Sequence, residues 1–248
     1  MIFSRLSRFS VLCSLYFLPA SPLSPTSLGP QRSSTAVPAT AAIEQNKIGV
    51  GYMNQHAFKE AGAAFQKALS EDRWFNLARV NLGIAFFYDQ DLEGAMAVLQ
   101  EAEKIEPLNP YVQFVMGLVH RNRGEVENAI GRFSRVAGID ERCAATHYNL
   151  GLLYSRQHRD KEAEVELRRA LALDPDHTAA MYNLGGLLVK SGRAEEGNRL
   201  LDRFRVLSQR DRPSSGMGSG SQYGKMGRYA IAMDYQPPPA TGYGPAIP

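Results

Sequence analysis

The chain has 248 residues, 44% of them hydrophobic, and a formal charge of +3. That is the composition of an ordinary globular protein of one or two domains. Removing a leader that carries Arg5 and Arg8 lowers the charge by two, to +1. So small a surplus argues against a basic nucleic-acid surface, and no nucleic-acid partner is expected.

The predicted elements begin with an address. No acidic residue precedes Glu44, and Arg5 and Arg8 stand before the apolar run Val11 to Leu18, which Pro19 closes. A positive start followed by a short apolar stretch is the layout of a secretory signal peptide, residues 1–20, with the cut expected near Ala20. The run is too short to cross a bilayer, so no transmembrane segment is expected after leader removal. Arg and Ser without acid also describe an organelle transit peptide; the compact apolar stretch favours export, to a periplasm or outside the cell. Cys13 follows Leu12 rather than a small residue, which argues against a lipid anchor. With Cys13 removed, Cys143 is left as a free thiol, read as a small buried residue between helices. Residues 21–41, rich in Pro, Ser, Thr and Ala, predict a flexible spacer.

From residue 42 the chain repeats itself every 34 residues. Gly49, Gly83, Gly117, Gly151 and Gly185 keep that interval, each preceded by an apolar residue. With background glycine near 7%, four further glycines in register have odds on the order of a few in 100,000. Other positions keep the same register. Three residues after each glycine stand Tyr52, Phe86, His120, Tyr154 and Leu188; twelve after, Ala61, Ala95, Ala129, Ala163 and Gly197; sixteen after, Phe65, Leu99, Phe133, Leu167 and Leu201. Apolar residues three and four apart give two helical stripes per unit. Glycine costs about 1 kcal/mol in a helix interior relative to alanine, so five copies point to close approach of two helix backbones. Gly124 and Gly192 fall at the turns between paired helices, where a positive φ is useful.

This pattern resembles the tetratricopeptide repeat, a 34-residue pair of antiparallel helices. The resemblance covers residues 42–211 as five repeats, 42–75, 76–109, 110–143, 144–177 and 178–211. It implies an all-α, right-handed superhelical solenoid stabilised by stacking neighbours. Only Pro107 and Pro175 occupy the family's proline place; Arg73, Glu141 and Gln209 stand at the others.

In this family the second, fifth, sixth, ninth, twelfth and thirteenth places of each repeat line a concave groove. The sixth place carries Asn81, Asn149 and Asn183, and the fifth carries Asn46, Phe114, Tyr148 and Tyr182. Asparagine both donates and accepts, so a row of them can bond the backbone of an extended peptide, with the aromatics supplying contact area. The alternative is that each asparagine bonds only to a neighbouring helix. Arg121, Arg156 and Lys190 form a positive edge or a solvated face. The family's dicarboxylate clamp is not matched: Asn46, Val50, Phe114 and Leu118 depart from it, and only Asn81 fits.

No histidine has a companion at metal-ligand spacing, and neither a phosphate loop nor a nucleophile elbow is present. The expected function is a non-catalytic scaffold that binds a protein or peptide in the groove, without cofactor or metal. The alternative is a docking region of a larger exported multidomain protein or enzyme. Residues 212–248, rich in Gly and Pro, read as a tail. Within it, Tyr229, Ile231, Met233 and Tyr235 alternate with Ala230, Ala232 and Asp234, which predicts one short strand pairing with a partner's sheet or with a further domain.

Overall fold

The computed structural model of the chain describes residues 37–210 and 226–236. The expected signal peptide and its cut, the spacer up to residue 36, and the tail stretches 211–225 and 237–248 lie outside the described residues. Ten α-helices follow one another in the first described stretch: α1 (Thr40–Asn54), α2 (Phe58–Glu71), α3 (Asn76–Tyr88), α4 (Leu92–Ile105), α5 (Pro110–Asn122), α6 (Val126–Ile139), α7 (Ala144–Arg156), α8 (Asp160–Leu173), α9 (Thr178–Lys190) and α10 (Ala194–Arg210). They pair as five antiparallel hairpins stacked into a right-handed all-α solenoid. Helix α1 starts at Thr40, inside the last residues assigned to the spacer.

The repeated glycine is the point where each pair closes. A Cβ added to Gly83 would lie 2.6 Å from the Leu99 side chain, and one on Gly151 would lie 2.7 Å from Leu167. Gly49 faces Phe65, Gly117 faces Phe133 and Gly185 faces Leu201 in the same way. In the first four pairs the large residue opposite the glycine is fully buried, as are Ala61, Ala95, Ala129 and Ala163 on the second helices. Gly197 replaces that alanine in the last pair and brings its backbone against the Gly185 carbonyl.

Turn chemistry repeats with the same period. His56, Gln90, Gly124, His158 and Gly192 occupy equivalent places between paired helices, and all five have positive φ, from 58° to 83°. Glycine makes that turn at no steric cost, and the other three residues are held in it by the helices they join. Between repeats an aspartate makes the turn at Asp72, Asp140 and Asp174, with or without the family's proline after it. Asp72 accepts from the Trp74 amide at 3.0 Å, and Asp140 from the Arg142 amide at 3.2 Å. Three helices also have side-chain N-caps, from Asp91, Asn109 and His177.

Among the described residues, buried apolar side chains form three clusters: one from Met53 to Leu153 that also takes in Tyr229, Ala230 and Ala232, a second over repeats four and five, and a small third of Ala42, Ala68, Phe75 and Ala78; Tyr154 packs against the first two. Cys143 is buried and free. Glu164 and Glu166 on α8 are held by side chains outside that helix. The two guanidinium groups of Arg193 and Arg168 hold the Glu164 carboxyl down to about 2, and Glu166 meets the buried His147 at 2.6 Å.

The glycine contacts generate a paired prediction within one helix. Gly185→Ala places its methyl group about 2.8 Å from Leu201 and 3.0 Å from the Gly197 carbonyl. Overpacking of about 1–3 kcal/mol then outweighs the roughly 1 kcal/mol gain in helix propensity. Its neighbour Gly186 faces open space, so Gly186→Ala raises stability by about 0.5–1 kcal/mol. Urea denaturation of both variants against wild type reads the opposite signs.

Candidate peptide-binding groove

The first helices of the repeats, α1, α3, α5, α7 and α9, line the concave side. Over repeats one to three this side holds the second described stretch of the same chain. Residues 228–230 form a short 3-10 turn, and from Ile231 the backbone runs extended. The expected strand does not form: no β-ladder occurs among the described residues. The alternation of the segment fits a groove wall, where the main-chain N–H and C=O of Met233 are taken up by side chains of α1 and α3 instead of a neighbouring strand.

Three contacts fix the register of the segment. At its start, the Tyr229 ring is 7% exposed and stands edge-on to Tyr111, with centroids 4.9 Å apart, and 6.0 Å from Phe114. Its hydroxyl donates to Asp140 Oδ2 at 2.6 Å, and Arg228 forms an ion pair with the same carboxylate. Four residues on, the Met233 amide donates to Asn81 Oδ1 at 2.8 Å. The Met233 carbonyl accepts from Asn81 Nδ2 at 2.7 Å and from Asn46 Nδ2 at 3.1 Å. Asn81 Nδ2 also donates to Asn46 Oδ1 at 2.8 Å, and both asparagines are fully buried. Finally, Tyr235 meets Phe75 edge-on at 5.8 Å. Between these anchors Ala230 and Ala232 are buried.

The other residues singled out from the sequence divide into distinct situations. Asn149 and Asn183 each donate to a carbonyl of their own helix, Ala145 and Ala179, both at 2.7 Å. The asparagine row is therefore not one continuous ladder: Asn149 and Asn183 each have an amide N–H already committed to their own helix. Phe114 is fully buried and floors the Tyr229 site instead of offering open surface. Arg121 is half-buried, not a solvated edge; it donates to Asn149 Oδ1, and burial pushes its guanidinium pKa down from its ordinary value. Arg156 is exposed, and Lys190 is exposed and paired with Asp160 at 3.2 Å. Tyr148 lies 4.8 Å from His177 by ring centroids, and Tyr182 is 57% exposed beside Phe204.

On the side from which the segment enters, before Gly227, the groove is open among the described residues. A pocket of about 790 Å³ is lined by Tyr148, Asn149, His177 and Ala179, with Met226 and Ser208 at its margin.

Asn46 stands at the fifth place, which faces the groove, and Tyr111 stands at the second place of its repeat, which faces it too. Asp140 had no such signal: it belongs to the turn after α6, and its role depends on Arg228 and Tyr229, almost ninety residues away.

Paired helices closed on glycine and curved around a peptide-sized groove define a helical-repeat binding scaffold. Tetratricopeptide-repeat profiles match residues 46–110, 144–177 and 161–205, and the chain belongs to the tetratricopeptide repeat family. It is 31% identical over 80 residues to the TPR repeat-containing protein MJ1428 of Methanocaldococcus jannaschii, a match spanning 30% of this chain and only 13% of that protein. Among solved structures it is similar to MamA of Desulfovibrio magneticus RS-1, at 17% identity, with a TM-score of 0.62 over 71% of this chain and all of that one. PilF of Pseudomonas aeruginosa is similar at 18% identity and a TM-score of 0.62, over 72% of this chain and 78% of that one. At these identities the structural likeness concerns the fold.

Burial raises the Tyr229 phenol above its ordinary value of about 10, against the opposing pull of Arg228. A pKa raised on docking means the docked form keeps the proton. Docking is therefore at full strength below about pH 10 and is lost as the pH rises through the raised value. In an alkaline titration followed by phenolate absorbance, one tyrosine ionises after the solvent-exposed ones, and Tyr229→Phe removes that late component.

Proposed function

We propose that the protein is a non-catalytic interaction scaffold that holds an extended segment of another protein in its concave groove. The observation that carries this reading is the seat at Met233. Both main-chain polar groups of one residue are satisfied by Asn81, with Asn46 adding a second donor to the carbonyl. Recognition through the backbone is indifferent to side-chain identity at that residue and requires an extended ligand. The fully buried asparagines are fixed by each other, so little freedom is lost when a peptide binds.

The open half of the groove gives a partner further room. Tyr148 and the exposed Tyr182 supply aromatic area, and Arg156 and Lys190 supply positive charge at the edge. The proposed function uses no cofactor, metal or nucleic acid. The leader read from the sequence places this work outside the cytoplasm, in a periplasm or beyond the cell. The second reading, a docking region of a larger exported protein, is favoured by one observation: the groove's present occupant belongs to the same chain.

A photo-crosslinking residue tests the reading. Put in place of Ala179, which lines the open pocket, it gives a discrete crosslinked partner in extract of the source cells, mapping to one extended segment. Put in place of the exposed Val165 on α8, it gives none. Equal products from both positions, or a product from Val165 alone, move the binding surface off the groove.

A further inference from the structure

Building on that reading, we propose that the groove over repeats one to three is a sequence-selective receptor, and that residues 227–235 of this chain are its resident ligand. A partner segment that enters this half of the groove must carry the same chemistry and displace it. The ligand class is an extended segment with glycine, a basic residue and tyrosine in succession, small residues one and three places after the tyrosine, and a free main-chain amide four places after it.

Each element of that pattern is set by the receptor. Gly227 has φ +98°, a conformation that L side chains rarely adopt, and an added Cβ would run into the Ala145 methyl. Both conformation and space thus demand glycine where the segment enters. Asp140, itself the turn residue after α6, takes the Tyr229 hydroxyl and the Arg228 guanidinium together, so its carboxylate reads the basic-aromatic pair. Tyr111 and Phe114 make the ring slot, and Ala230 and Ala232 are buried in the core cluster beside it, which favours small side chains at both places. The Asn81 seat then requires a residue with an N–H, which excludes proline at that place.

The occupant is supplied in cis. Ser208, near the end of α10, and Met226, just before the segment, line the same pocket. The chain therefore leaves the last helix and returns to the groove at neighbouring points. Tethering raises the effective concentration of such a ligand into the millimolar range, so a segment of modest affinity still fills the site until a better-matched or more concentrated segment competes. The segment is also suited to exchange: it forms no ladder among the described residues, so no strand pairing has to be undone before it leaves.

The test uses the full chain and a fluorescent peptide of residues 226–236, followed by anisotropy. Tyr229→Ala with Met233→Pro in the full chain removes both anchors without touching a helix, and circular dichroism confirms equal helicity. The peptide binds this doubly substituted chain at least ten-fold more tightly than wild type. Adding Asn81→Ala or Asp140→Ala to it lowers peptide affinity about ten-fold, as does Tyr→Ala in the peptide. Equal binding to wild type and the doubly substituted chain, or binding to neither, overturns the proposal. Sedimentation gives a monomer for wild type; a dimer that dissociates in the doubly substituted chain shows the segment held by a second copy and overturns the cis assignment. Failure of these measurements leaves the crosslink from Ala179 intact as the separate test of the groove as a partner site.

Discussion

Each helix pair closes on a glycine under a large apolar side chain, and the rest of the architecture depends on that close approach. With the two backbones drawn together at the glycine, the second helices bury alanine and leucine or phenylalanine in the core. A single pair cannot bury both of its faces, so the pairs stack. The stack curves, and the first helices are left with one face turned inward. The groove is thus a by-product of how the repeats pack, and its residues are those that the packing does not consume.

What those residues can do is set by hydrogen-bond satisfaction. Asn46 and Asn81 are buried amides with more donors and acceptors than they can spend on each other. The surplus is satisfied by the main chain of Met233. Asn149 gives an N–H to its own helix and takes Arg121 on its oxygen, Asn183 gives an N–H to its own helix, and aromatic rings line the groove there. Two halves of one surface therefore offer different chemistry: repeats one to three grip a backbone and a tyrosine, while repeats four and five present a roomier wall with cations at its rim. The carboxylate of Asp140 couples fold to site, since one side chain shapes the turn between repeats and also meets Tyr229.

The period, register and helix pairing were legible in the sequence because the same contact recurs five times at fixed spacing. The turns were only half legible: Gly124 and Gly192 announced a positive φ, whereas His56, Gln90 and His158 adopt it without any compositional signal. Asp72 and Asp140 make turns where the proline pattern fails. In the groove, the residue types at each place could be read, but the direction of each amide could not, because a rotamer bonded four residues back and one aimed inward share one sequence. The tail shows the limit most plainly. A period of two in Tyr229–Tyr235 was visible, yet strand-like alternation specifies only an extended backbone with two faces. Its wall turned out to be helices, because nothing local in the segment encodes Asn81 or Asp140.

Amide hydrogen exchange of the full chain, read at Met233, tests the central claim that the groove holds an extended chain by its backbone. The account predicts slow exchange at this amide in wild type. In Asn81→Ala it predicts acceleration of about 10- to 100-fold, as expected for losing buried hydrogen bonds worth about 1–3 kcal/mol together, with α5 to α10 unchanged. An unprotected Met233 amide in wild type, or protection that survives Asn81→Ala, would contradict it.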